Sequence, residues 1–127
     1  MDDAAVRRWL ERYVEAWRTY DASAIGDLFA VDAVYRYHPW DEGDDVARGR
    51  DAIVASWLED TDEPNSWSAS YEPWLVAGDR VVALGVSRYE PGDREDVARE
   101  YHNVFLLQFD GEQRCTEFTE LYARRTE

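Results

Sequence analysis

The chain has 127 residues, 45% hydrophobic and 14% aromatic, enough for one domain with a real core and no covalent staples. Fourteen basic against 28 acidic residues give a formal charge of −14, which repels phosphate backbones and anionic lipid and argues against nucleic-acid and membrane-surface partners. Every basic residue is Arg, so Schiff-base lysine chemistry and a P-loop are excluded.

Ala4 to Tyr20 carries Val6, Trp9, Leu10, Tyr13, Val14, Trp17 and Tyr20 on one face at helical spacing. Asp2 and Asp3 suit the positive end of that helix. Asp21 or Ser23 starts a second, shorter helix that buries Ile25, Leu28 and Phe29. Val31 to Pro39 then alternates as a strand, ended by its proline. Asp41 to Asp45 is acidic and Gly-broken, a solvated loop or a lid. Gly49 to Asp60 reads as a third helix burying Ile53, Trp57 and Leu58.

Beyond Pro64-Asn65 the pattern becomes β, with strands expected at Ser66 to Val76, Arg80 to Glu90, Arg99 to Phe109 and Arg114 to Arg124. Gly78-Asp79, a polar loop from Pro91 to Asp96, and the hairpin dipeptide Asp110-Gly111 separate them. A strand trapped between two helices cannot wrap a core alone, so it must join the later strands. The whole, residues 1–127, is therefore expected to be one α+β domain, a curved and mostly antiparallel sheet closed by N-terminal helices.

Acid–base chemistry in a dry hollow needs titratable groups within hydrogen-bond reach of a substrate and tuned by burial. Tyr35 and Tyr37 share a strand face, Arg88 and Glu90 form a similar pair, and His102 opens the fourth strand. Thr116, Phe118, Glu120 and Tyr122 share one face of the last. Glu120 is either a buried base beneath the hollow or a carboxylate turned outward or paired with Arg. His102 is either a proton carrier or a packed or surface histidine. His38 has the parity opposite to Tyr35 and Tyr37 and is expected to face outward. Two His without HxH or HExxH spacing make a poor metal site, and no metal is expected. The lone Cys115 allows no internal disulfide and, alternating away from Phe118 and Glu120, reads as a buried structural thiol. Without a leader or an apolar run of about 18 residues, a cytoplasmic protein is expected.

The order helix–helix–strand–helix followed by a curved meander resembles the nuclear transport factor 2-like superfamily. That group includes SnoaL-like polyketide cyclases, ketosteroid isomerase, scytalone dehydratase and limonene epoxide hydrolase. The closest local matches are LFAVDAVYRYHP, the GRDAI helix start and the closing DGEQRCTEFTELY. The resemblance implies a cone whose mouth takes a small hydrophobic molecule, commonly in a homodimer, with no cofactor. Fold alone does not decide activity, because some members bind or assemble without catalysis.

Limonene epoxide hydrolase implies a water-activating carboxylate at Glu120 and an Arg-x-acid pair at Arg88 and Glu90, although Tyr37 stands where that family has its water-holding Asn. Scytalone dehydratase implies Tyr37 and His102, although Trp17-Arg18 replaces its helix partner. Ketosteroid isomerase has its base on the first strand, where this chain has Tyr35-Arg36-Tyr37-His38 and no carboxylate. The resulting expectation is an isomerase or cyclase, dehydratase or epoxide-hydrolase type enzyme using Tyr37, Arg88, Glu90, His102 and Glu120. Tyr13, Trp17, Tyr35, Trp57, Phe118 and Tyr122 would contact its substrate. The alternative is a silent binding or dimerisation module with the same hollow. An outer aromatic sheet face, Trp67, Tyr71 and Phe105 or Leu107, would make the homodimer.

Overall fold

The structure, a computed structural model, describes residues 1–92 and 95–126. Positions 93 and 94 of the expected 91–96 loop lie outside the described residues. Helix α1 (Asp3–Thr19) is capped by Asp2, whose carboxylate accepts from the Ala5 amide at 2.8 Å. It buries Val6, Trp9, Leu10 and Tyr13, the apolar stripe that the spacing predicts. It stops at Tyr20 in the left-handed conformation, φ 51°. Helix α2 (Ala22–Asp27) follows, capped by Asp21. The Trp9 indole donates to the Leu28 carbonyl at 3.0 Å and ties the two helices to the start of the sheet.

Strand β1 (Phe29–Arg36) starts two residues before the expected Val31 and ends before Tyr37. Phe29 and Ala30 continue a helical run of apolar residues, but their backbone pairs with a strand far along the chain instead. The register slips between Phe29 and Val34, pushing Val31 out to 72% exposure and breaking the alternation. Strand β2 (Ala47–Arg48) is too short to leave a periodic signal. Gly49 then turns the chain at φ 90°, a conformation only glycine adopts without strain. This aims Arg50, the first residue of α3 (Arg50–Glu59), so that its Nε and Nη2 donate to the Phe29 carbonyl at 3.0 and 2.8 Å. The GRD motif thus ties the start of α3 to a carbonyl at the edge of the β1 irregularity.

Strands β3 (Trp67–Ala77), β4 (Arg80–Tyr89), β5 (Arg99–Phe109) and β6 (Cys115–Arg124) form an antiparallel meander. The six-stranded sheet has the order β2-β1-β6-β5-β4-β3, and β1 joins β6 in parallel. The described residues therefore form an α+β fold, a curved and unclosed sheet with helices packed over its inner face. A bulge near Thr116 lets Cys115 pair with Phe109 while Glu117 pairs with Gln108. Cys115 consequently faces the same core as Phe118, not the opposite side as alternation implies, and burial pushes its thiol well up.

The expected outer aromatic face is also corrected. Phe105 and Leu107 are buried core residues, Tyr71 lies 4.5 Å from the Phe105 ring, and Trp67 stacks on Trp17 at 3.5 Å. The outer face instead carries the alternate aliphatic set, Val82, Leu84 and Val86 on β4 with Val104 and Leu106 on β5. Among the described residues no helix is long and apolar enough to cross a membrane.

Candidate functional site

The inner face of the sheet ends in a cavity of about 380 Å³. Helix α1 sends Tyr13 and Trp17, one turn apart, across its top. Tyr35 and Tyr37 rise from the end of β1, Ser56 and Trp57 from α3, Tyr71 from β3, and Ser87 and Tyr89 from β4. Glu120 projects from β6, and Asp60 and Asp62 stand at the rim in the chain leaving α3. A side recess of about 270 Å³ shares Glu120 and continues past Arg99, Tyr101, Asn103 and Tyr122.

Phe118 forms the floor. Its ring stacks on Tyr35 at 4.3 Å and 4°, and on Tyr13 at 5.5 Å and 11°. The Tyr13 and Tyr35 hydroxyls lie 3.3 Å apart, and burial pushes both phenols well above their ordinary range. They stay neutral, and since one donates to the other the pair retains one spare O–H. Tyr37 lies 2.8 Å from Ser56 Oγ, which itself donates to the Ile53 carbonyl at 2.9 Å. Tyr37 must therefore be the donor in its own bond. On the β4–β5 wall, Asn103 Nδ2 donates to Ser87 Oγ at 3.0 Å. At the rim, Asp62 accepts from Trp17 Nε1 at 3.0 Å and from Tyr20 at 3.3 Å.

Glu120 has the same inward parity as Phe118 because it pairs with Phe105 across the sheet. Its carboxyl makes no hydrogen bond or ion pair with the described residues, and burial raises it to about 7. The tyrosines around it are pushed upward by burial as well, with the charge of Glu120 adding to the effect at Tyr13 and Tyr71. The site therefore combines one carboxyl poised near neutrality with neutral hydroxyl donors in apolar walls.

Three of the residues expected in the hollow are elsewhere. His102 is outward, its side chain 58% exposed and 2.9 Å from Glu100, because its partner across the sheet is Val86 and Asn103 takes the inward position. Arg88 is outward for the same parity reason and pairs with Glu100 at 2.8 Å. Glu90 lies beyond the end of β4, outside the cavity lining, along a groove that adjoins the rim at Asp60, Asp62 and Tyr89. His102, Arg125 and Arg88 together hold the Glu100 carboxyl down at about 2, so this cluster is a surface ion-pair network. His38 stacks on Trp40 at 4.9 Å and sits 3.3 Å from Asp41, away from the cavity lining. Phe118 is fully buried beneath the cavity, and Tyr122, half exposed, stands at the recess mouth. Tyr13, Trp17, Tyr35, Tyr37, Trp57 and Glu120 do line the main cavity.

Sequence reasoning passed over Tyr20, Ser56, Ser87 and Tyr89 as site residues and set Tyr71 on the outer face. Once the register is known, the parity that removes Arg88 and His102 brings in Ser87, Tyr89 and Asn103. No group of His, Cys, Asp and Glu among the described residues is arranged to hold a metal.

Fold and site together define a cone-shaped α+β protein of the nuclear transport factor 2-like kind. Residues 10–117 match the SnoaL-like domain, and the chain belongs to that family. A nuclear transport factor 2-like protein of unknown function from Burkholderia xenovorans LB400 superposes with a TM-score of 0.72 at 17% identity, covering 98% of this chain and 87% of that one. A Catenulispora acidiphila protein with a ketosteroid isomerase-like fold, solved in complex with trimethylamine, gives 0.71 at 19% identity over 91% of this chain and 85% of that one. A Sphaerobacter thermophilus protein gives 0.67 at 21% identity, with 92% and 94% covered. No curated protein matches the chain.

Proposed function

We propose that this protein is a cofactor-independent acid–base enzyme of the isomerase or cyclase type, acting on a small and largely apolar molecule held in the cavity. The observation that carries this reading is the Glu120 carboxyl, unpaired among the described residues, facing the cavity and raised to about 7. A base with that pKa is half ionised at neutral pH and takes up a proton without a large thermodynamic penalty. Glu120 removes a proton next to a substrate carbonyl and later returns it to a neighbouring carbon. The spare O–H of the Tyr13–Tyr35 pair hydrogen-bonds the developing enolate oxygen, where a neutral donor in a dry site acts most strongly.

Water-activating alternatives are less well supported, since Arg88 and Glu90 lie outside the cavity lining and Tyr37 stands where the epoxide hydrolases have their water-holding Asn. The test uses enolisable cyclic ketones in deuterium oxide. The wild type is expected to accelerate α-deuterium incorporation, and Glu120→Gln to slow it by about a hundredfold or more. Equal rates for the two proteins would remove Glu120 as the base and favour a binding module without catalysis.

We further propose that a second copy of the chain covers the aliphatic outer face of β4 and β5. Leu106 and Leu75 are 44% and 51% exposed and Trp74 is 68% exposed, an apolar surface that supports self-association. The free, buried thiol of Cys115 fits a reducing compartment such as the cytoplasm.

A further inference from the structure

We propose that the side recess next to Glu120 is a hydrogen-bonding subsite built on Asn103 and Ser87, and that the molecule bound in the cavity carries a neutral hydroxyl group that enters it. This rests on the reading of the cavity as a small-molecule site and gives its otherwise apolar occupant one polar end.

The inner face of β4 and β5 changes character where it leaves the core. Val81 and Ala83 on β4, and Leu107 and Phe105 on β5, are apolar and buried. The next inward positions are Gly85 and Ser87 on β4 and Asn103 on β5. Ser87 and Asn103 are only 4% and 3% exposed, and among the described residues they are the polar ones buried to this degree. Burying an amide is costly unless its hydrogen-bonding groups find partners. Packing alone would be served as well by an apolar side chain.

Asn103 has two N–H donors and one carbonyl acceptor. One N–H donates to Ser87 Oγ at 3.0 Å. The Ser87 hydroxyl is directed at the Tyr71 phenol, where it works against the upward push of burial. Its proton thus goes to Tyr71 and its lone pair to Asn103, which fixes the amide with Nδ2 on the serine. The carbonyl and the second N–H of Asn103 have no partner among the described residues. Neither is sealed inside the protein, since Arg99 Nε is the buried side-chain atom closed off there without a hydrogen bond. They open instead on the recess that Asn103 lines. A hydroxyl suits them because its oxygen accepts from the N–H and its proton goes to the carbonyl. A ketone or ether oxygen only accepts, and would leave the amide carbonyl unmatched.

The sheet register sets the reach of such a ligand. Asn103 lies opposite Tyr122 on β6, two residues beyond Glu120 on the same face. The two side chains are therefore diagonal neighbours, about 7–8 Å apart at their bases. Allowing for a contact at each end, one six-membered ring bridges them, with a C–H at Glu120 and a hydroxyl at Asn103. Ser87 and Glu120 line both the cavity and the recess and stand at their junction. Tyr101 and Tyr122, edge to face at 5.6 Å, give the recess an aromatic flank, and Asp60, Asp62 and Arg99 also border it.

The test compares 4-hydroxycyclohexanone with 4-methylcyclohexanone, a ketone of nearly the same size, by calorimetry and by NMR of the asparagine side-chain amides. The wild type is expected to bind the hydroxyketone at least about tenfold more tightly. Its Asn103 amide resonances are expected to shift further with the hydroxyketone than with the methyl ketone. Asn103→Leu is expected to bring the two affinities together, and Ser87→Ala, which keeps the amide but removes its anchor, to narrow the gap. Equal binding of the two probes by the wild type, or a preference that survives Asn103→Leu, would overturn the subsite and leave the small-molecule cavity standing. Should Asn103→Leu fail to fold, wild-type Asn103 resonances that respond alike to both probes would overturn it equally. Binding of neither probe at millimolar concentration would overturn the subsite together with the cavity reading. Loss of the deuterium exchange with the hydroxyl preference intact would remove only the proton-transfer chemistry and keep the subsite.

Discussion

Glu120 sets the pH behaviour of the molecule. Its folded-state pKa is raised to about 7 from an ordinary 4.5, so between those values the native state binds more protons than the unfolded chain. Stability contributed by this residue is therefore highest below about pH 4.5 and falls as pH climbs to about 7, the reverse of a salt-bridged carboxylate. Glu120→Gln is expected to stabilise the fold by about 1–3 kcal/mol at pH 8 and by nearly nothing at pH 4.5, measured by urea denaturation. A carbon-13 titration of the Glu120 carboxyl should give a midpoint near 7. A midpoint near 4 would mean that solvent reaches the group freely, and the catalytic role would fall with it. The proposed catalysis rests on this one acid, retained between aromatic rings at a cost to stability.

Element by element, the helices and the long strands were legible because their periods are clean. The α1 stripe and the four meander strands sit within a few residues of where spacing puts them. Legibility failed wherever the backbone departs from its period. The slip in β1 hid the true start of that strand at Phe29, and the bulge at Thr116 brought Cys115 into the core. Parity on β4 and β5 was not readable because apolar residues occupy both faces there, so Arg88 and His102 looked as suitable for the hollow as Ser87 and Asn103. Glu120 was legible as one of two alternatives, because Phe118 shares its face on the part of β6 beyond the bulge. Packing also depends on a close approach that the sequence does not announce. Tyr71 lies across Gly85, where an added Cβ would come within 2.0 Å of the ring and 2.3 Å of the Ser70 carbonyl. Gly85→Ala is expected to cost about 3 kcal/mol in urea denaturation and to shift the Tyr71 ring resonances. A cost under about 0.5 kcal/mol would show that β3 moves aside freely.

At the scale of the whole molecule, the aliphatic outer face and the acidic surface pull in opposite directions. Copies carrying −14 each repel one another, while the β4–β5 face gains from being covered. Association is therefore expected to strengthen with salt. Sedimentation at micromolar concentration should show a dimer, more complete at 0.5 M than at 0.05 M salt, and Leu106→Asp should give a monomer with its urea midpoint little changed. A wild-type monomer at both salts would remove the second copy. The parallel joining of β1 to β6 has a consequence for biosynthesis. During translation β1 emerges early with one long edge open, and its mate is the last segment of the sheet to be made. The sheet stays incomplete on the ribosome until nearly all of these residues have left the exit tunnel, so a stalled or shortened product holds an unsatisfied hydrogen-bonding edge open to chaperones and to other nascent chains.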